Sequence, residues 1–152
     1  MRVRRFLAAI AVTASLVILT PTAAQADGGG RPLSAELSGV NEVPPADPDG
    51  AGKAVLRLNP GQQEICYQLQ VTGIAPASAA HIHNAPAGVN GPVVVPLSAP
   101  TAGTSSACAS VDRELVRAIL TNPQDYYINV HNSEFPGGPS VGSSADSVAE
   151  SP

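Results

Sequence analysis

The chain has 152 residues with 12 acidic and 8 basic side chains, but three of the basic ones, Arg2, Arg4 and Arg5, lie at its extreme N-terminus. Beyond residue 26 only Arg31, Lys53, Arg57, Arg113 and Arg117 stand against the acidic groups. So acidic a chain, with aromatic residues making up only 3% of it, argues against nucleic acid and against anionic membranes as partners, since both demand positive charge.

Residues 1–26 have the layout of a secretory signal peptide. The three arginines form the charged start, Phe6 to Leu19 is apolar, and Ala24-Gln25-Ala26 is an A-x-A cleavage site. The protein is therefore expected to be secreted, to begin at Asp27 and to keep no membrane segment. Residues 27–32, with three consecutive glycines, read as a flexible leader. Residues 33–142 read as one β domain, and 143–152, small, polar and acidic, as a disordered tail.

Within the domain the pattern is one of short strands. Leu33, Ala35 and Leu37 alternate with polar neighbours and predict a first strand. A Pro- and Asp-rich stretch from Asn41 to Gly50 is a loop by its turn residues. Gly52 to Leu58 and Glu64 to Val71 both alternate, and Asn59-Pro60-Gly61-Gln62 between them predicts a β-hairpin. Ala79 to His83 and Val93 to Leu97 are further strands, the second marked by Pro96 as an edge or a strand end. Ser105 to Ala109 is a short pairing segment. Asp112 to Leu120 is the one helical signal: Leu115 and Ile119, and Val116 and Leu120, are four apart, with Asp112 placed to cap the start and Pro123 to stop the end. Tyr126 to Val130 predicts the last clear strand. Many turn residues, short strands and a single helix predict an all-β fold, an antiparallel Greek-key β-sandwich or barrel with one short helix.

Two cysteines, Cys66 and Cys108, are an even count, which in an exported protein implies a disulfide. Such a bridge closes a loop of about 43 residues and stabilises by about 4 kcal/mol on the chain-entropy model. Two free thiols or a thiolate metal site are the alternatives, and neither has a C-x-x-C or C-x-H pattern behind it.

All three histidines lie in two strand segments, Ala80-His81-Ile82-His83 and Asn129-Val130-His131-Asn132. Alternate residues of a strand share a face, so His81 and His83 point the same way. The phase puts Ala80, Ile82, Ile128 and Val130 on the apolar side. His81, His83, Tyr127, Asn129 and His131 then fall on a polar face away from the core. If the two strands are neighbours, His81, His83 and His131 make a three-imidazole ligand set suited to copper or zinc. Asn84, Tyr127, Asn129 and Glu134 are the candidates for orienting an imidazole. The competing reading gives the same histidines a structural task, with His81 and His83 holding the 88–92 loop and His131 the turn at Phe135. Asp47-Pro48-Asp49-Gly50 lacks calcium-loop spacing and reads as a turn. No nucleophile elbow, phosphate loop or dinucleotide fingerprint is present.

Four motifs in order, Leu37-Ser38-Gly39-Val40-Asn41-Glu42-Val43-Pro44-Pro45, Ala80-His81-Ile82-His83, Gly88-Val89-Asn90-Gly91-Pro92-Val93-Val94 and Tyr126-Tyr127-Ile128-Asn129-Val130-His131 with Phe135-Pro136-Gly137-Gly138, resemble the CHRD domain, a module named from the extracellular protein chordin and common in exported bacterial proteins. The resemblance spans about residues 33–142 and implies an extracellular β-sandwich without supplying a reaction. It has one departure: the family follows Phe-Pro-Gly-Gly with an acidic residue and a further strand, whereas this chain has Pro139-Ser140-Val141-Gly142-Ser143. A proline cannot donate a ladder hydrogen bond, so that strand is expected to be shortened or absent. The His-x-His strand is also similar to the copper site of Cu/Zn superoxide dismutases. The expected function is a non-catalytic secreted binding module with a three-histidine copper or zinc site and no organic cofactor. Alternatives are a superoxide-dismutase-like copper enzyme, or an extracellular structural or protein-interaction domain.

Overall fold

Strict two-residue alternation of aliphatic and polar side chains needs one buried and one solvated face, and that requirement organises the whole domain. The computed structural model describes residues 29–39, 48–86, 88–134 and 141–142; the segment expected to be a signal peptide, most of the 41–50 loop, the expected turn at Phe135 and the expected tail lie outside these. The strands are β1 (Arg31–Ser38), β2 (Ala51–Asn59), β3 (Glu64–Thr72), β4 (Ala77–Asn84), β5 (Val93–Leu97), β6 (Thr104–Ser110), β7 (Tyr126–Asn132) and the two-residue β8 (Val141–Gly142). One helix, α1 (Arg113–Thr121), and a short 3-10 turn over Pro123–Asp125 connect β6 to β7.

All pairings are antiparallel. Strands β1-β2-β3-β6 form one sheet and β5-β4-β7 the other, with β8 bridging β7 to β1, so the hydrogen-bonded order is β5-β4-β7-β8-β1-β2-β3-β6. The non-consecutive neighbours β3–β6 and β4–β7 arise from connections that cross between sheets, as in Greek-key sandwiches. The order ends at β5 and β6, which share no ladder, so the sandwich does not close into a barrel. Pro96 lies on the edge strand β5, the position its missing N–H tolerates. The shortened last strand takes the form of β8, which pairs Gly142 with Ser38 and Val141 with Val130.

The core is the sum of the predicted inner faces. Ala35 and Leu37 of β1, Ala54, Leu56 and Leu58 of β2, and Ile65, Tyr67, Leu69 and Val71 of β3 face Ala80, Ile82, Val95, Leu97, Ile128 and Val130 of the other sheet. Helix α1 packs Val116 and Ile119 into this layer. Asp112 occupies its cap position, but its side chain makes no capping hydrogen bond. The Tyr67 hydroxyl accepts the Ser98 N–H at 2.7 Å, tying β3 to the end of β5. On the outer face of the larger sheet, Cys66 and Cys108 are directly opposed in the β3–β6 ladder and form a disulfide.

Candidate metal centre

The β4–β7 ladder brings the three histidines together. His81 stands opposite Asn129, His83 opposite Tyr127 and His131 opposite Ala79, so His131 is the diagonal neighbour of His81 on the shared outer face. Diagonal positions lie within reach of long side chains. One ring nitrogen from each of His81, His83 and His131 falls within 4.8 Å of the others. The His81 ring meets His83 at a centroid distance of 5.8 Å and His131 at 5.3 Å, both edge to face. The other grouping of ligand-type residues, Glu64 with Cys66 and Cys108, spends both sulfurs on the disulfide.

The face is not the open polar surface its composition suggests. His83 and Tyr127 are each 9% exposed and Asn129 3%, while His81 and His131 are half-buried. The segment after β4 is held back against this strand: the Asn84 N–H donates to the Pro92 carbonyl at 3.0 Å. β5 carries an extra residue, Val94, between the partners of Ile82 and His83. Bulges of this kind re-aim side chains beside sites.

This return segment sets the state of His83. Its Nδ1 lies 2.9 Å from the Gly91 carbonyl oxygen. A carbonyl only accepts, so Nδ1 carries the proton of this bond, and in the neutral ring Nε2 is the nitrogen with the lone pair. That Nε2 is buried and has no hydrogen-bond partner. The Tyr127 ring stacks on His83 at 4.8 Å and 12° between planes, and its hydroxyl accepts the Gly91 N–H at 3.3 Å. Tyr127 and Gly91 together therefore fix the ring's tautomer and plane, the arrangement seen around metal-bound imidazoles. Gly91 is required by space: a Cβ there would lie 2.4 Å from the Asn84 carbonyl oxygen.

His81 complements this. Its Nδ1 is likewise buried without a partner. Burial, then the neighbouring His131 and His83, hold its pKa below the usual 6.5, so it is a neutral donor at physiological pH, the form that binds metals.

Of the four orienting candidates, Tyr127 and Asn129 share the histidine face, Asn129 with its Oδ1 buried and unpartnered. Asn84 does not act on an imidazole: its amide donates to the Asp125 carbonyl at 3.2 Å. Glu134 is exposed, and its backbone N–H donates to Asn132 Oδ1 at 3.0 Å. The structural reading holds for His83 Nδ1, which bonds the loop, and leaves its Nε2 without a partner. Gly91 is the residue sequence reasoning did not single out, although the Gly-Pro step at 91–92 marks a tight approach.

No curated protein and no solved structure gives a significant match to the chain. The family model of the CHRD domain matches residues 33–139. That span holds most of β1, all of β2 to β7, the disulfide and all three histidines, and the chain belongs to the CHRD domain family.

Proposed function

We propose that this protein is a secreted, non-catalytic binding module that holds a copper or zinc ion on His81, His83 and His131. One observation carries the reading: His81 Nδ1 and His83 Nε2 are buried without hydrogen-bond partners, and one ring nitrogen from each of His81, His83 and His131 lies within 4.8 Å of the others. A buried polar atom left unpaired costs about 1–3 kcal/mol, and a metal ion is the ligand that answers imidazole lone pairs at one point. The disulfide and the family's extracellular setting agree with secretion. The superoxide-dismutase-like alternative needs positive charge guiding an anion to the metal. Among the described residues Arg31, Lys53, Arg57, Arg113 and Arg117 all lie on β1, β2 or α1, and none lies on the histidine strands β4 and β7.

Titration of the purified protein with Cu(II), Cu(I) and Zn(II), followed by calorimetry, tests the site. One ion per chain is expected, lost in the triple His81→Ala, His83→Ala, His131→Ala variant while the oxidised fold persists by circular dichroism. A wild-type protein that binds none of the three ions sinks the reading, and dismutase activity of the copper-loaded form would move it to the alternative.

A further inference from the structure

The loop that holds His83 contains the chain's only Asn-Gly step, Asn90-Gly91. Asparagine is a chemically labile residue, because the main-chain nitrogen of the next residue can attack its side-chain amide. A side chain on that next residue shields the nitrogen, and glycine has none. Of the other asparagines, Asn59 and Asn122 precede proline, which has no N–H, and the rest precede Glu, Ala, Val or Ser. Asn129 and Asn132 are buried, whereas Asn90 is exposed. The Gly91 N–H donates to the Tyr127 hydroxyl at 3.3 Å, beyond the usual range of such bonds, so little holds it back from reaction. The glycine is also fixed by packing, since a Cβ there would lie 2.4 Å from the Asn84 carbonyl oxygen.

In the reaction the Gly91 nitrogen bonds to Cγ of Asn90 and the Cγ–Nδ2 bond breaks. The amide leaves as ammonia, taking the Gly91 proton. Water, the sole co-reactant, then opens the cyclic imide at either carbonyl. Opening at Cγ gives aspartate at position 90. Opening at the main-chain carbonyl gives isoaspartate, whose main chain runs through Cβ and is longer by one carbon–carbon bond, about 1.5 Å. That bond enters immediately before the loop's anchors on β4 and β7. The Gly91 carbonyl accepts from His83 Nδ1 at 2.9 Å, and the Pro92 carbonyl accepts the Asn84 N–H at 3.0 Å. A displacement of about 1.5 Å takes either pair out of hydrogen-bond range.

We infer that Asn90-Gly91 is a site of spontaneous deamidation, and that its isoaspartyl product detaches the loop from His83 and so weakens the grip of the site on a metal ion. The loss of metal rests on the metal-site reading above; the modification does not. The protein thus carries a binding site with a chemical lifetime.

Incubation of the purified protein in warm, mildly alkaline buffer, followed by peptide mapping and enzymatic methylation of isoaspartate, tests the modification. We expect isoaspartate at position 90, with ammonia lost and water gained in the mass, and none there in Asn90→Gln. A synthetic peptide of residues 86–95, which has no fold to protect the step, is the reference. Isoaspartate in the peptide but not in the protein, or in neither, overturns the proposal. The isoaspartyl and fresh forms, separated by chromatography, are then titrated with Cu(II), Cu(I) and Zn(II). The isoaspartyl form is expected to bind at least about tenfold more weakly, and Asn90→Asp, which adds the charge without the extra bond, to stay within about threefold of fresh protein. Undiminished affinity of the isoaspartyl form, or an equal loss in Asn90→Asp, overturns the release of the loop. If fresh protein binds no ion, the metal-site reading falls and with it the loss of metal. Release of the loop is then decided by hydrogen exchange at the Asn84 amide, which should quicken at least about tenfold in the isoaspartyl form; unchanged exchange overturns it.

Discussion

Two side-chain details govern the site: which nitrogen of His83 carries its proton, and how readily His81 accepts one. Gly91 decides the first. Its carbonyl accepts a hydrogen bond from His83 Nδ1 and its N–H donates to the Tyr127 hydroxyl, and a Cβ at that position would collide with the Asn84 carbonyl. Gly91→Ala is therefore expected to push the loop off β4 and weaken metal binding by about 10- to 100-fold, the usual effect of losing an orienting partner; calorimetry on the folded variant checks it, and undiminished affinity would show that the loop does not position His83. The second detail makes the metal-free protein sensitive to acid. With its folded pKa below 6.5, His81 stays neutral in the folded chain while the unfolded chain takes up a proton. Stability is thus full above about pH 6.5 and falls as the pH drops from there toward the folded pKa. Urea unfolding in the presence of a chelator should show wild-type stability declining as the pH falls below about 6.5, with a shallower decline in His81→Gln. The residues of the site were legible in the sequence because strand phase alone aligns His81 with His83. Their burial was not, because it depends on a return segment that no local periodicity encodes.

At the level of elements, the strands followed their alternation closely. β2 and β3 bury the faces predicted for them, Ala54, Leu56 and Leu58 against Ile65, Tyr67, Leu69 and Val71, because a half-solvated antiparallel strand has a period of two that sequence displays directly. α1 also appears where its four-residue spacing placed it, yet without the expected side-chain cap from Asp112. Burial of Val116 and Ile119, not capping, holds it in place. The β3–β6 ladder owes more to covalent chemistry. β6 is a run of small residues on an edge, Thr104 to Ser110, with little side chain to pack, and the Cys66–Cys108 bridge ties it to β3 across a separation of 42 residues. Reduction, or the Cys66→Ala, Cys108→Ala pair, is expected to cost about 4 kcal/mol of unfolding free energy. Equilibrium denaturation of oxidised and reduced protein measures it, and a loss below about 1 kcal/mol would mean that packing alone fixes β6.

For the molecule as a whole, the domain is a two-sheet sandwich whose histidine face and disulfide face lie on opposite outer surfaces. That arrangement suits a protein working outside the cell, where a cystine persists. Expression in a secreting bacterial host should release a chain whose first residue, by intact mass and N-terminal sequencing, is Asp27; retention of residues 1–26 on an extracellular product would contradict the signal-peptide assignment. Composition and local pattern were enough to determine the all-β class, the inner faces of β1 to β4 and β7, the helix α1 and the shared face of His81 and His83, because these depend on periodicity and residue chemistry within a few positions. Only the tertiary structure decided that β7 pairs with β4, that the sandwich stays open between β5 and β6, and that the 88–92 segment folds back to bury His83 and set its tautomer. Those outcomes depend on contacts between residues far apart in the chain, and a pairing energy of that kind leaves no periodic trace in the sequence.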